Sequence, residues 1–267
     1  MKTLYINDIR NALKSKEYWF GFALILVSGI LTAVFNLSPT GVFGDYNIGS
    51  AEFFISAAMY GNTLFKISAP VIAIFVCINR HSIFLSDKQA IEKSWESKEV
   101  KARILANVTI GGSVFIFSYT LLFLAGLIVF SSSTGSIPPN YGLFKELYQS
   151  APIGYVFAYI FYTGICGALF ALFGFALKVL LVKPIGLVLF VPLVFYSSFI
   201  SLGWLFWFLE GIISFVSPLY TFDISSFEMP PLKRVAELLF LLVISITLII
   251  ISYRRNKRQI KHEIEPT

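Results

Sequence analysis

Few residues of this chain stand where they could do covalent or metal chemistry. The only histidines, His81 and His262, both lie in basic segments, and the His-Glu-x-x-His pattern that sets two zinc ligands on one helix face is absent. No serine in the apolar runs has a base beside it, and paired carboxylates are missing there too. Cys77 and Cys166 fall inside apolar runs without ligand spacing and read as small packing residues. Lys66, Glu237, Lys178 and Lys183 come at the ends of such runs, where long side chains reach back to water, which leaves no interior Asp, Glu or His for ion coupling. The phosphate cradle Gly-x4-Gly-Lys-Ser/Thr is also absent, so the chain is not expected to use ATP by itself. The residues therefore point away from an enzyme, with no catalytic residue and no metal site.

The elements around these residues are set by composition. Hydrophobic residues are 57% of the 267 positions and charged ones 13%, with a mean hydropathy of +0.77, which excludes a water-soluble domain. A helix needs about 18 or more apolar residues to cross a hydrocarbon core about 30 Å thick, and only a helix satisfies its own backbone there. Six runs qualify: 18–36, 64–79, 104–130, 153–177, 185–203 and 235–252, the second being marginal in length. The fold class expected is all-α, a single transmembrane domain with six crossings. Residues 2–17 mix Asp8 and Glu17 among four basic residues, unlike a cleaved leader, so the first crossing is expected to stay.

Seventeen of the 21 Lys and Arg fall in segments that a cytoplasmic location of both termini would put inside, whereas the acidic residues divide eight to seven. This bias predicts a multi-pass protein of the cytoplasmic membrane with both ends in the cytoplasm. The net charge of +6 then needs no nucleic-acid partner, since topology and anionic inner-leaflet lipid account for it.

Before the first crossing, Tyr5, Ile9 and Leu13 repeat at i, i+4, i+8 and predict an interfacial helix over 2–17, ending in the aromatic belt Tyr18, Trp19, Phe20. The apolar stretch 53–60 is too short to cross and is expected on the outer surface. The loop 80–103 holds ten of the 36 charged residues. Ser86 with Gln89 gives a capping-box start, and Asp87 to Arg103 contains no Gly or Pro, so a cytoplasmic helix is expected. Glu99 and Arg103 are spaced to pair on it, and Ile91 with Trp95 forms an apolar couple. Between the last two crossings, 204–232 opens with an aromatic run interrupted by Glu210, Gly211 and Pro218; 204–219 reads as a re-entrant segment.

An amphipathic lead-in helix, six crossings, a charged helical loop after the second and a broken apolar segment before the last together resemble an ABC-2-type permease, the membrane-spanning subunit of an ABC exporter. The resemblance covers the whole chain, mostly in layout. Asp87-Lys88-Gln89-Ala90-Ile91-Glu92 followed by Ile104-Leu105-Ala106-Asn107 is similar to the family's charged segment leading into its third crossing, and Ser217-Pro218-Leu219-Tyr220 to a turn before its last. Ala90 stands where relatives often have Gly, and no Pro precedes the third crossing.

The resemblance implies that 86–100 is a coupling helix docked on a partner ATPase, with Ile91 and Trp95 as apolar anchors and Ser86, Asp87, Lys88, Glu92, Glu96 and Glu99 around them. Trp95 reads equally as an interfacial residue resting on headgroups. Glu210 and Pro218 are candidates for gating, with a plain loop carboxylate as the other reading of Glu210. Gly164 with Ala168 and Gly167 with Ala171 give small-xxx-small spacing for close helix packing. Pro184 and Pro192 read as static bends or as kinks in a moving helix. The resemblance further implies export by a pair of permeases, the second a copy or paralogue, with ATP and Mg held only by the partner ATPase subunits; the 17% aromatic content and the lack of interior charge suggest an amphipathic or hydrophobic cargo, peptide, lipid-linked or drug-like, over a small ion. The alternative is a non-transporting immunity or assembly factor that binds a peptide or protein.

Overall fold

A computed structural model describes residues 2–37, 48–58, 63–78, 98–130, 145–181 and 231–264. Among the described residues every regular element is helical: α1 Lys2–Leu13, α2 Lys16–Asn36, α3 Ser50–Ala58, α4 Thr63–Ile78, α5 Lys98–Val129, α6 Lys145–Ser150, α7 Pro152–Leu181 and α8 Pro231–Ile264. Four of them, α2, α5, α7 and α8, are long and apolar enough to cross a membrane. They match the runs 18–36, 104–130, 153–177 and 235–252. The run 64–79 corresponds to α4, a 16-residue helix. The run 185–203, the segment 204–219, Pro184 and Pro192 lie outside the described residues.

The side-chain distribution is that of helices solvated by acyl chains. On α2, Gly21, Ile25, Gly29 and Ala33 recur every fourth residue and are buried, whereas Trp19, Phe20, Val27, Leu31, Val34 and Phe35 are each more than half exposed. Large apolar groups outside and small ones inside invert the pattern of a water-soluble helix, because lipid solvates the former while the latter let backbones meet. α8 likewise exposes Val235, Leu239 and Val243.

The tightest seam joins α5 to α7, which run antiparallel. A Cβ added to Gly111 would stand 2.3 Å from Ala171 Cβ and 2.8 Å from the Gly167 carbonyl oxygen; one added to Gly112 would stand 2.9 Å from the Gly164 carbonyl oxygen. From the other side, a Cβ on Gly167 would stand 2.6 Å from the Gly111 carbonyl oxygen and 2.4 Å from the Phe115 ring. Backbone touches backbone here, and any side chain would push the helices apart.

The N-terminal helix is laid onto this pair. Tyr5 and Ile9 pack toward the core and Ala12 is fully buried, while Leu13 points outward. The inner face is thus 5, 9, 12 instead of the expected 5, 9, 13, the closer match to the 3.6-residue turn. The Tyr5 hydroxyl shares a hydrogen bond with Thr109 Oγ1 at 3.1 Å, and Tyr18 with Ser113 Oγ at 3.1 Å, so two hydroxyls one turn apart on α5 hold α1 and α2. Ser15 makes the elbow between them: its hydroxyl donates to the Ala12 carbonyl and accepts from the Tyr18 N–H. α2 consequently starts at Lys16, ahead of the aromatic belt.

Of the stretch 53–60 expected on the outer surface, the described part, 53–58, belongs to α3 and packs inside the bundle. Every residue of α3 but Phe53 is buried, and Phe54 meets Tyr119, Phe123 and Tyr159 edge-on at 5.5 to 6.0 Å. α3 and α4 occupy successive levels along α2. Asn36 Nδ2 donates to the Ser56 carbonyl at 2.9 Å and Gly29 faces the Ala57 carbonyl, while Gly21, farther along, faces Ile72 and Val76 of α4. α3 and α4 thus contact α2 at different points along its length. Run length in the sequence separates 53–60 from 64–79 and gives no sign that both pack along one helix.

Gly167→Ala is expected to lower stability by about 1 to 3 kcal/mol, since the added methyl meets a carbonyl that cannot step aside. Gly154→Ala, whose nearest neighbour would be Ala151 Cβ at 3.5 Å, is expected to be neutral or slightly stabilising. Thermal unfolding of both variants in mild detergent checks the contrast; equal melting points would refute the backbone contact.

Candidate functional site

Of the residues singled out in the sequence, Ser86, Asp87, Lys88, Ile91, Glu92, Trp95, Glu96, Glu210 and Pro218 lie outside the described residues. Gly164, Gly167, Ala168 and Ala171 line the α5–α7 seam, opposite Gly111 and Gly112. Glu99 sits in the first turn of α5, with Oε1 3.4 Å from Arg103 Nη2. Three groups of polar side chains give the bundle its chemical character.

The first is a buried carboxylate at the end of the bundle where α7 begins. Gly49 precedes α3 and Glu52 is the third helical residue, so its Oε2 reaches back to accept the Gly49 N–H at 3.1 Å, one half of a capping box. Its other oxygen accepts the hydroxyl of Tyr148 from α6. Tyr148 also meets Tyr155 of α7 edge-on at 5.4 Å. Burial, reinforced by the bond to Glu52 and its charge, holds the Tyr148 phenol far above the ordinary range, so it stays a donor. In sequence this region reads only as a Gly-rich loop; Gly-x-x-Glu before an apolar run was the available signal.

The second is an ion pair within the bundle. Arg234 Nη1 stands 3.4 Å from Glu237 Oε2, both side chains 3% exposed. Both residues are within electrostatic reach of Tyr162 and Cys166 on the buried face of α7. Cys166 lies 14 residues past Pro152, about 20 Å along that helix. Glu237 was expected to snorkel to water, and so was Lys178, which is 5% exposed. Both are enclosed instead, because neighbouring helices cover the span ends that a linear reading leaves open. The i, i+3 spacing of Arg234 and Glu237 was the visible clue.

The third group ties the charged loop to the bundle. Lys98 to Arg103, the end of the segment 80–103, forms the opening turns of the 32-residue helix α5. Val100 is fully buried in a cluster with Leu172, Phe175, Ala176 and Val179 of α7 and Ile249 and Tyr253 of α8. The Glu99–Arg103 pair flanks this contact, within electrostatic reach of Tyr253. α8 itself continues as a helix to Ile264, well beyond the run 235–252. Such an arrangement joins the start of α5 mechanically to α7 and α8.

Tyr148→Phe removes a donor from a buried carboxylate and is expected to cost about 1 to 3 kcal/mol. The folded chain holds the phenol proton more tightly than the unfolded chain does. The wild-type advantage is therefore complete below about pH 10 and shrinks above it. Melting curves of both proteins from about pH 7 to 11, spanning the ordinary phenol range, test this; a gap that widens with pH would refute it. For the ion pair, Glu237→Leu alone is expected to cost about 3 to 5 kcal/mol and Arg234→Met with Glu237→Leu distinctly less, because the single change takes the carboxylate away from a guanidinium that stays buried. Comparison of the chain with models of known families, with curated proteins and with solved structures finds no match.

Proposed function

We propose that this chain is the permease subunit of an ATP-driven exporter of the ABC-2 type, moving an amphipathic or hydrophobic cargo across the cytoplasmic membrane. It has six crossings and cytoplasmic termini, and works as a pair of permeases with two ATPase subunits that hold ATP and Mg. One observation carries the reading. The charged segment after the second crossing leads, without a break from Lys98 onward, into a helix of 32 residues, about 48 Å long, whose opening turns are packed against α7 and α8. A push on that segment moves a stiff lever and two further helices, the mechanical requirement for converting closure of two ATPase domains into movement of crossings. The lead-in helix α1 is held to the same lever through Tyr5 and Thr109.

Extraction of the full chain from its native membrane in mild detergent is expected to bring an ATPase with it. Trp95→Ala should reduce the retained ATPase about ten-fold or more, as loss of an apolar anchor does at an interface. If the chain purifies with a peptide or protein but no ATPase, and Trp95→Ala leaves that partner bound, an immunity or assembly factor is the better reading.

A further inference from the structure

The junction of α5, α7 and α8 contains a polar atom that the lever alone does not explain. Tyr253 is 6% exposed and its hydroxyl oxygen is buried, yet among the described residues it makes no hydrogen bond. It shares an apolar cluster with Val100, in the turn that runs from Glu99 to Arg103. An enclosed phenol without a partner is unfavourable, because the group has left water and gained nothing in exchange. Phe at this position would keep the ring contacts with Ile249 and α7 and avoid the penalty. Glu99 and Arg103, which flank Val100 in that cluster, lie within electrostatic reach of this phenol, so a small shift of α5 would give its hydroxyl a partner.

We propose that Tyr253 is the receiving half of a two-position latch, its hydroxyl idle in the conformation described and donating to the Glu99 carboxylate when a docked ATPase pushes the start of α5 toward α8. This rests on the function proposed above and names the contact through which the push reaches the last helix. An ionised carboxylate offers about four lone-pair sites, so Glu99 can accept the phenol while it keeps Arg103. The ion pair therefore need not break for the latch to close. The bond exists only in the pushed state, so it adds nothing to the resting fold and biases the equilibrium between the two states, by about ten-fold for a hydrogen bond to a charged group. Tyr253 is thus a positioning residue acting on the coupling segment.

The test uses the permease purified with its ATPase and reconstituted in vesicles, with ATP turnover as the readout. Tyr253→Phe is expected to melt at the wild-type temperature or slightly above and to retain the ATPase, yet to lower turnover about ten-fold. Glu99→Ala should lower turnover as well, and adding Tyr253→Phe to it should cause no further loss, because both remove one bond. Wild-type turnover in Tyr253→Phe, or losses that multiply in the double variant, would overturn the latch while leaving the exporter reading intact. Failure of any ATPase to accompany the wild-type chain would overturn both.

Discussion

The contact on which the bundle depends is backbone against backbone, where Gly111 and Gly112 of α5 meet Gly164 and Gly167 of α7. In lipid there is no hydrophobic gain from bringing two apolar helices together, so association rests on dispersion between closely fitted surfaces and on polar contacts across them. Glycine at all four positions lets the helices approach until carbonyls stand within van der Waals distance of the opposing chain. Everything else is laid against this pair: α1 and α2 through the hydroxyls of Thr109 and Ser113, α3 through the ring of Phe54, and α8 through Val100 and Phe175.

Polar groups inside such a bundle must find partners among themselves, since neither lipid nor packed apolar side chains supply any. Asn36 and Tyr159 show how this is done at the inner end of α3, donating to the carbonyls of Ser56 and Ala58 that the helix can no longer satisfy. The Asn36 amide comes from α2 and the Tyr159 hydroxyl from α7, so the end of one short helix is held by two long ones. Glu52 does the same at the outer end by joining α3 to α6 through Tyr148. α3 therefore has both ends tied to neighbours, which allows a helix of nine residues to persist where isolated helices of that length do not.

This architecture separates two kinds of stiffness. Along α5 the backbone ladder is continuous from the charged loop to the far end, so displacement at Lys98 is carried the whole length. Across the bundle, the same helix is joined to α7 by close glycine contacts and, at its start, to α7 and α8 through Val100. A lever packed in this way agrees with the exporter reading proposed for the loop that precedes it.

Length, composition and charge distribution were legible without any structure. The all-helical class, the four long apolar helices and one half of the seam, Gly164 and Gly167 with their alanine partners, come from run length and residue spacing, which are local properties. Glu99 and Arg103 were legible for the same reason, lying one helical turn apart. The other half of the seam, the enclosure of α3, the burial of the Arg234–Glu237 pair, and the unpartnered hydroxyl of Tyr253 were not. Each depends on which surfaces distant parts of the chain present to one another, and apolar runs are too alike for their pattern to specify a neighbour. The sequence by itself thus determined that helices form and where the four long apolar stretches lie, but not where α5 begins or α8 ends. Only the tertiary structure decided which of their polar side chains are hidden, because in a bundle of nearly equivalent apolar rods burial is settled by packing partners and not by hydropathy.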